Sequence, residues 1–304
     1  MSKITTIDTQ WTGRTRSVAS ALLESQGHLS LVDPGPASTF ETVREQLRSR
    51  GISVGDLGAI LLTHIHLDHA GATGSLVREN PGIPVYVHKN GAPHMIDPSK
   101  LLASAGRLWG DDLARLFGTT LPVPAENLRI LEGGEALKFG ERTLSVVYTP
   151  GHASHHVSFF DDEEGVAFVG DTAGVRIENG PYILPATPPP DIDLALWDAS
   201  FASILARRPA RMFLTHFGFA ENPPEHLAQF RHRLHQWAGI AEASIRGAAS
   251  DTAALAAFVA AARGEISEHL ADEELEHYVF NAGLNLSFLG FARYLHKRTQ
   301  SASQ

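Results

Sequence analysis

Short runs of β-branched and aromatic residues, bounded by Gly, Pro or Asp, alternate with helical periodicity along the first two thirds of the chain. Such runs are typical of β-strands, where branched and aromatic side chains pack well. The pattern predicts strands over residues 28–32, 59–62, 85–87, 144–148, 157–160, 166–169 and 211–214. Strands alternating with helices predict an α/β fold, in which helices cover the faces of sheets.

One of the intervening helices is predicted to begin at Ser38. Ser38 and Glu41 stand three residues apart, the spacing of a capping box. Phe40, Val43 and Leu47 then recur on one helical face. We therefore expect this helix to bury that face against the sheet.

The pattern changes near Pro223, after which Ala, Leu, Glu and His dominate and strand signals disappear. We divide the chain into a main domain over 1–222, which carries a partly helical insertion at 89–127, and a helical C-terminal extension over 223–304. The Pro-rich stretch 185–190 is interpreted as a rigid loop. The apolar stretch 288–295 predicts core packing or a subunit contact, which is compatible with a homodimer.

Composition narrows the function classes. The 304 residues carry a formal net charge of −9, 16 histidines and no cysteine. The absence of cysteine excludes disulfides and thiolate metal ligands. Scattered basic residues argue against a nucleic-acid partner, and neither a secretory signal nor a membrane-spanning run is found. We therefore expect a cytoplasmic protein that acts on a small molecule.

The densest candidate chemistry is the segment Thr63-His64-Ile65-His66-Leu67-Asp68-His69, which directly follows an apolar strand. On a turn between strand and helix, His64 and His66 can meet one ion. Asp68 and His69 can reach a second ion beside it. A strand end needs none of these side chains for folding, so the cluster predicts a metal site with nitrogen and oxygen ligands.

This segment resembles the HxHxDH signature of the metallo-β-lactamase superfamily, and further landmarks follow in the family's order. They are Asp33 at a strand end, His152 in Thr149-Pro150-Gly151-His152, Asp171 in Gly170-Asp171-Thr172, and His216 after Phe213-Leu214-Thr215. The resemblance covers about residues 20 to 220. It implies a four-layer αββα sandwich, here with the helical C-terminal extension.

The resemblance also implies a ligand set for two divalent metal ions. His64, His66 and His152 would bind the first ion, and Asp68, His69 and His216 the second, with Asp171 bridging both. Zinc suits these ligands best, and iron or manganese is also compatible with them. Two adjacent metal ions lower the pKa of a shared water and generate hydroxide at neutral pH. Asp68 and Asp171, which would lie beside that hydroxide, are also the expected catalytic residues.

Other residues are candidates to support the ligands or contact substrate. His156 resembles the last histidine of the GHTxGH motif of superfamily hydrolases, and His155 replaces the glycine of that motif. Large aromatics in the insertion and the loop 176–192 could line a pocket, and a helical tail covers the metal cleft in some members. These considerations add Trp109, Tyr182, Asn285 and Tyr294 as candidate substrate residues, beside Asp33, His155 and His156.

Several branches of the superfamily fit poorly. Zinc β-lactamases usually lack the aspartate of the signature or use a cysteine, nucleases carry an added domain or basic surface, and flavodiiron proteins replace the second histidine. The sequence is similar to glyoxalase-II-like and lactonase-like enzymes, although Gly174 stands where lactonases place a catalytic tyrosine. We expect a dinuclear hydrolase of a small ester, lactone or thioester, with a metal-bridging hydroxide as nucleophile. The alternative is a mononuclear iron enzyme that resembles persulfide dioxygenases.

Overall fold

A computed structural model describes residues 3–178 and 180–302, so the outermost residues of both predicted domains lie outside the described residues. Within these ranges the strands form two six-stranded sheets. The first sheet contains, in spatial order, β1 (Lys3–Asp8), β2 (Ala19–Ser25), β3 (His28–Val32), β4 (Leu57–Leu61), β5 (Val85–His88) and β6 (Leu128–Leu131). The second contains β12 (Gly218–Glu221), β11 (Arg211–Leu214), β10 (Val166–Phe168), β9 (Val157–Asp161), β8 (Arg142–Tyr148) and β7 (Ala136–Phe139).

The two sheets pack face to face. Strands β3 to β6 run parallel to one another, whereas most of the second sheet is antiparallel. Leu61, Val146, Phe159 and Phe213 belong to one buried cluster that both sheets supply. Alternate residues of a strand point to opposite faces, so the remaining apolar residues are left for covering helices.

Helices cover both outer faces, which completes the four layers that the resemblance predicted. The helices of the first 222 residues are α1 (Phe40–Arg48), α2 (Leu67–Ala70), α3 (Thr73–Glu79), α4 (Ala92–Ile96), α5 (Ser99–Trp109), α6 (Leu113–Phe117) and α7 (Leu194–Ala206). Helix α1 buries Phe40, Val43 and Leu47 as expected. The insertion contains α4 to α6 and is partly helical, also as expected.

The C-terminal segment is helical, with α8 (Pro223–Gly247), α9 (Asp251–Ser267), α10 (Asp272–Ala282) and α11 (Leu284–Ala302). Phe230, Trp237, Phe258 and Phe291 are buried in the cluster that also covers the second sheet. These helices therefore pack back onto the main layers. None of the helices in the described residues is both long and apolar enough to cross a membrane.

The predicted strands are all present, with ends displaced by at most a few residues. The predicted capping box is wrong, because the Ser38 hydroxyl donates to the carbonyl of Leu116, 2.6 Å away. Helix α1 begins at Phe40 and has no side-chain cap. A contact between segments far apart in sequence has replaced the local one.

Candidate metal centre

The candidate ligands lie where strands of both sheets end. His64 follows β4, and His66 directly precedes the short helix α2, which carries Asp68 and His69. From the second sheet, His152 follows β8, Asp171 follows β10, and His216 follows β11. Parallel and facing strands bring their ends together, so residues distant in sequence meet at one edge of the sandwich.

The first group is formed by His64, His66 and His152. The Nδ1 atom of His66 lies 2.9 Å from Nε2 of His64 and 2.9 Å from Nε2 of His152. The Nδ1 atom of His152 lies 3.0 Å from the Ala186 carbonyl, so it must be the donor there. In the neutral ring, Nε2 of His152 therefore carries a lone pair toward the group.

These three imidazoles are held in the neutral form that a metal requires. Burial lowers the pKa of His66 to about 3, and the neighbouring His152 contributes to this lowering. Burial also lowers the pKa of His64 well below its ordinary value, and that of His152 less strongly. Neutral imidazole nitrogens converging at 2.9 Å have too few protons to satisfy one another. A cation among them would resolve this conflict.

The second group is formed by Asp68, His69 and His216. The Oδ2 atom of Asp68 lies 3.3 Å from Nε2 of His216 and 3.9 Å from Nε2 of His69. Each histidine is oriented through its other nitrogen. His69 Nδ1 lies 2.9 Å from Oδ2 of Asp33, and His216 Nδ1 donates to the carbonyl of Ser17 over 2.8 Å.

Asp171 stands between the two groups. Its Oδ2 lies 3.5 Å from Nε2 of His152, in the first group. Its Oδ1 lies 3.2 Å from Nε2 of His69 and 3.7 Å from Nε2 of His216, both in the second. Each carboxylate oxygen therefore faces a different group, as a bridging ligand would.

The buried polar atoms of this cluster fit a metal better than they fit one another. His69 Nε2 and Asp171 Oδ1 are buried and face each other at 3.2 Å, and neither atom has another hydrogen-bond partner among the described residues. Burial opposes protonation of His69, but the carboxylates of Asp171, Asp68 and Asp33 outweigh it and raise its pKa well above the ordinary value. The cluster thus demands positive charge, which divalent cations supply to nitrogen and oxygen donors of this kind.

His156 and His155 lie behind and beside the ligands. His156 Nε2 accepts the backbone N–H of Asp171 at 3.3 Å, while its Nδ1 lies 3.0 Å from the Thr149 hydroxyl. His156 therefore fixes the position of Asp171. The His155 ring stacks on His64 with centroids 6.0 Å apart and borders the cavity in front of the ligands.

A cavity of about 300 Å³ opens onto His66, Asp68, Asp171 and His216. Most of its remaining wall comes from four places: the N-terminal loop, the insertion, the Pro-rich loop and the C-terminal helices. Representative lining residues are Trp11, Trp109, Pro188, Asn281 and Leu286. The insertion and the loop 176–192 shape this pocket as expected, and the C-terminal helices contribute to it directly.

The candidate substrate residues separate into two sets. Trp109 borders the cavity. Tyr182, Asn285 and Tyr294 are not among the described residues that line it, so the structure does not bring them to the candidate site. The Tyr182 hydroxyl donates to Glu265 instead, and Asn285 is exposed. Tyr294 lies on α11 and packs against the buried cluster beneath that helix.

Gly174 leaves no room for the tyrosine that lactonases place there. Its φ is +74°, and an added Cβ would lie 2.7 Å from Cε2 of Phe230 and 2.9 Å from the Leu184 carbonyl. This position is therefore closed to side chains by the packing of α8.

Sequence reasoning missed Ser17, Trp11, Asn281 and Leu286. Ser17 acts through a backbone carbonyl, which any residue supplies. The other residues reach the cavity from segments that carry no recognisable motif, and only the tertiary fold brings them to the ligands.

Comparison with known proteins gives one family. The family model described as the metallo-beta-lactamase superfamily matches residues 13–216. A metallo-beta-lactamase fold-containing protein of Sulfurisphaera tokodaii is 30% identical over 178 residues, which cover 57% of this chain and 66% of that protein. A hydroxyacylglutathione hydrolase of Aeromonas hydrophila is 30% identical over 152 residues, covering 50% of this chain and 44% of that enzyme. The chain thus spans about half to two thirds of the length of these curated relatives.

Solved structures show the same fold. A metallo-beta-lactamase family protein from Thermus thermophilus superposes with a TM-score of 0.66 at 21% identity, covering 98% of this chain and 94% of that one. That overlap extends through the C-terminal helices. Another structure, described as a di-iron-bound form, has a TM-score of 0.51 at 29% identity and covers 67% of this chain and 89% of that one.

Proposed function

Since the chain belongs to the metallo-β-lactamase superfamily, we propose that it is a dinuclear metal-dependent hydrolase of a small ester, lactone or thioester. The observation that carries the proposal is the placement of Asp171, whose two oxygens face two separate groups of donor atoms. The first ion would be held by His64, His66 and His152, and the second by Asp68, His69 and His216. Zinc is the proposed metal, since the donors are imidazole and carboxylate.

Two divalent ions at such a site would lower the pKa of a shared water and polarise a substrate carbonyl. The chain's own residues hold the metal-binding side chains in position. Asp33, Ala186 and Ser17 fix the rings of His69, His152 and His216 through the nitrogens that face away from the site. Partners of this kind hold metal-binding imidazoles in one tautomer and orientation.

Asp68 is the carboxylate best placed to handle protons. Its side chain is 21% exposed, compared with 5% for Asp171, and it borders the cavity. In hydrolysis the attacking water loses one proton, and the leaving oxygen or sulfur gains one. Asp68 can accept the first proton and deliver it to the leaving group.

The proposal is tested by assaying the zinc-loaded protein on aryl esters, lactones and S-lactoylglutathione. We expect turnover of members of this panel that is lost on chelation, restored by zinc, and abolished in Asp171→Ala. Asp198→Ala is the matched control, since Asp198 pairs with Arg231 and His235 on an outer helix. Turnover that survives both chelation and Asp171→Ala would overturn the proposal.

A further inference from the structure

The cavity beside the candidate ligands is lined mostly by apolar side chains from segments far apart in sequence. Helices α5 and α6 supply one side, the N-terminal loop and the Pro-rich loop supply others, and α11 supplies the last. The principal apolar lining residues are Trp11, Leu101, Leu108, Trp109, Pro189 and Leu286. Burying an apolar group against such walls is favourable roughly in proportion to the area removed from water.

Charge in the wall is sparse. Apart from the candidate ligands, the charged residues among the described lining are Lys100 and Asp191, which have opposite signs. Lys100 is exposed, and a carboxylate oxygen of Asp191 accepts the Ser154 hydroxyl at 2.7 Å. Glutathione carries two carboxylates and an ammonium group. Among its described residues, this wall has no cluster of cations that would bind those carboxylates.

We propose that the site selects an uncharged substrate whose acyl part is apolar, with Leu286 as a specificity-determining residue. This inference rests on the proposed function and deepens it. It also separates the chain from its glutathione-thioester relatives in substrate class. The apolar walls receive the acyl chain.

Hydrolysis of matched esters tests the apolar part. We expect kcat/KM of the zinc-loaded protein to rise roughly tenfold or more from p-nitrophenyl acetate to p-nitrophenyl hexanoate, because each buried methylene adds to binding. S-Lactoylglutathione should be a poorer substrate than either ester. Equal rates for both esters, or a preference for S-lactoylglutathione, would overturn the inference and leave the proposed function standing. No zinc-dependent turnover of any of the three would instead count against the proposed function.

Two leucines of α11 give a matched pair of variants. Leu286 lines the cavity, whereas Leu289 is 43% exposed and is not among the described lining residues. Leu286→Asn should reduce the preference for hexanoate over acetate by roughly tenfold, and Leu289→Asn should leave it unchanged. The same loss in both variants, or in neither, would contradict the assignment of Leu286.

Discussion

The Nδ1 atom of His69 lies 2.9 Å from Oδ2 of Asp33, and both side chains are fully buried. The same oxygen accepts the hydroxyls of Thr63 and Thr215 over 2.6 and 2.8 Å. Asp33 thus joins the ends of β3, β4 and β11 behind the candidate ligands. Its carboxylate fixes the tautomer in which Nε2 of His69 faces the site.

Asp33→Asn should weaken metal binding without emptying the site. In either orientation its amide group would set N–H donors against the donors that Asp33 now accepts. Loss of such a partner typically costs about 10–100-fold in metal affinity. Competition with a chromophoric chelator measures the change, and Asp112→Asn is the control, since Asp112 is exposed beside Arg115. Unchanged affinity in Asp33→Asn would show that His69 does not depend on this carboxylate.

Gly290→Ala should destabilise the protein, although alanine is the better helix former. An added Cβ at Gly290 would lie 1.9 Å from the Thr187 carbonyl oxygen, whose neighbour Ala186 holds His152. Overpacking of this kind costs about 1–3 kcal/mol and should also weaken metal binding. Gly239→Ala, with nothing within 4 Å of the added carbon, should instead stabilise by about 0.5–1 kcal/mol. Urea unfolding measures both, and equal effects would contradict the close approach of α11.

Tyr182→Phe should cost stability and leave hydrolysis unchanged. The Tyr182 hydroxyl donates to Glu265, which also accepts Trp237 Nε1 at 3.3 Å and lies 3.7 Å from Arg233. Removing one donor from a largely buried carboxylate should lower the free energy of unfolding by about 1–3 kcal/mol. A fall in kcat/KM with stability intact would return Tyr182 to the substrate site.

Protonation of His226 on unfolding should make the protein less stable in mild acid than at neutral pH. Burial lowers its pKa to about 4, despite the hydrogen bond that its Nε2 donates to Ala173. The unfolded chain, with an ordinary pKa of about 6.5, therefore binds more protons between these values. This contribution to stability is complete above about pH 6.5 and is lost as the pH falls toward 4.

The test compares the pH dependence of unfolding in wild type and His226→Gln. Over that window the wild type should lose up to about 3 kcal/mol more than the variant. The variant is needed as a reference because other buried histidines titrate in the same range. Parallel curves for the two proteins would show that His226 does not contribute.

The ligand cluster was predictable because its members occupy strand ends that carry local signals. An apolar run followed by a polar, histidine-rich turn identifies the end of β4, and apolar runs likewise end two residues before Asp171 and His216. Family order then assigned the residues to two groups, and the structure brings the same residues together. The layered α/β fold followed from the same strand signals.

The cavity wall was not predictable from the same signals. Asn281 and Leu286 reach the site only because α10 and α11 fold back over the Pro-rich loop, where Arg293 donates to the Pro190 carbonyl over 3.2 Å. The positions of Tyr182 and Ser38 were not predictable for a related reason. Their hydroxyls found partners, Glu265 and Leu116, that lie far away in sequence.

Metal content of the purified protein, measured by mass spectrometry of the elements, tests the central claim most directly. Two zinc ions per chain are predicted for the wild type, with both lost or strongly weakened in Asp171→Ala. His152→Ala and His216→Ala should each retain no more than one ion, because each removes a ligand from a different group. Saturation of the wild type at one ion per chain would contradict a dinuclear centre. A single iron with oxygen uptake and no hydrolysis would favour the dioxygenase-like alternative.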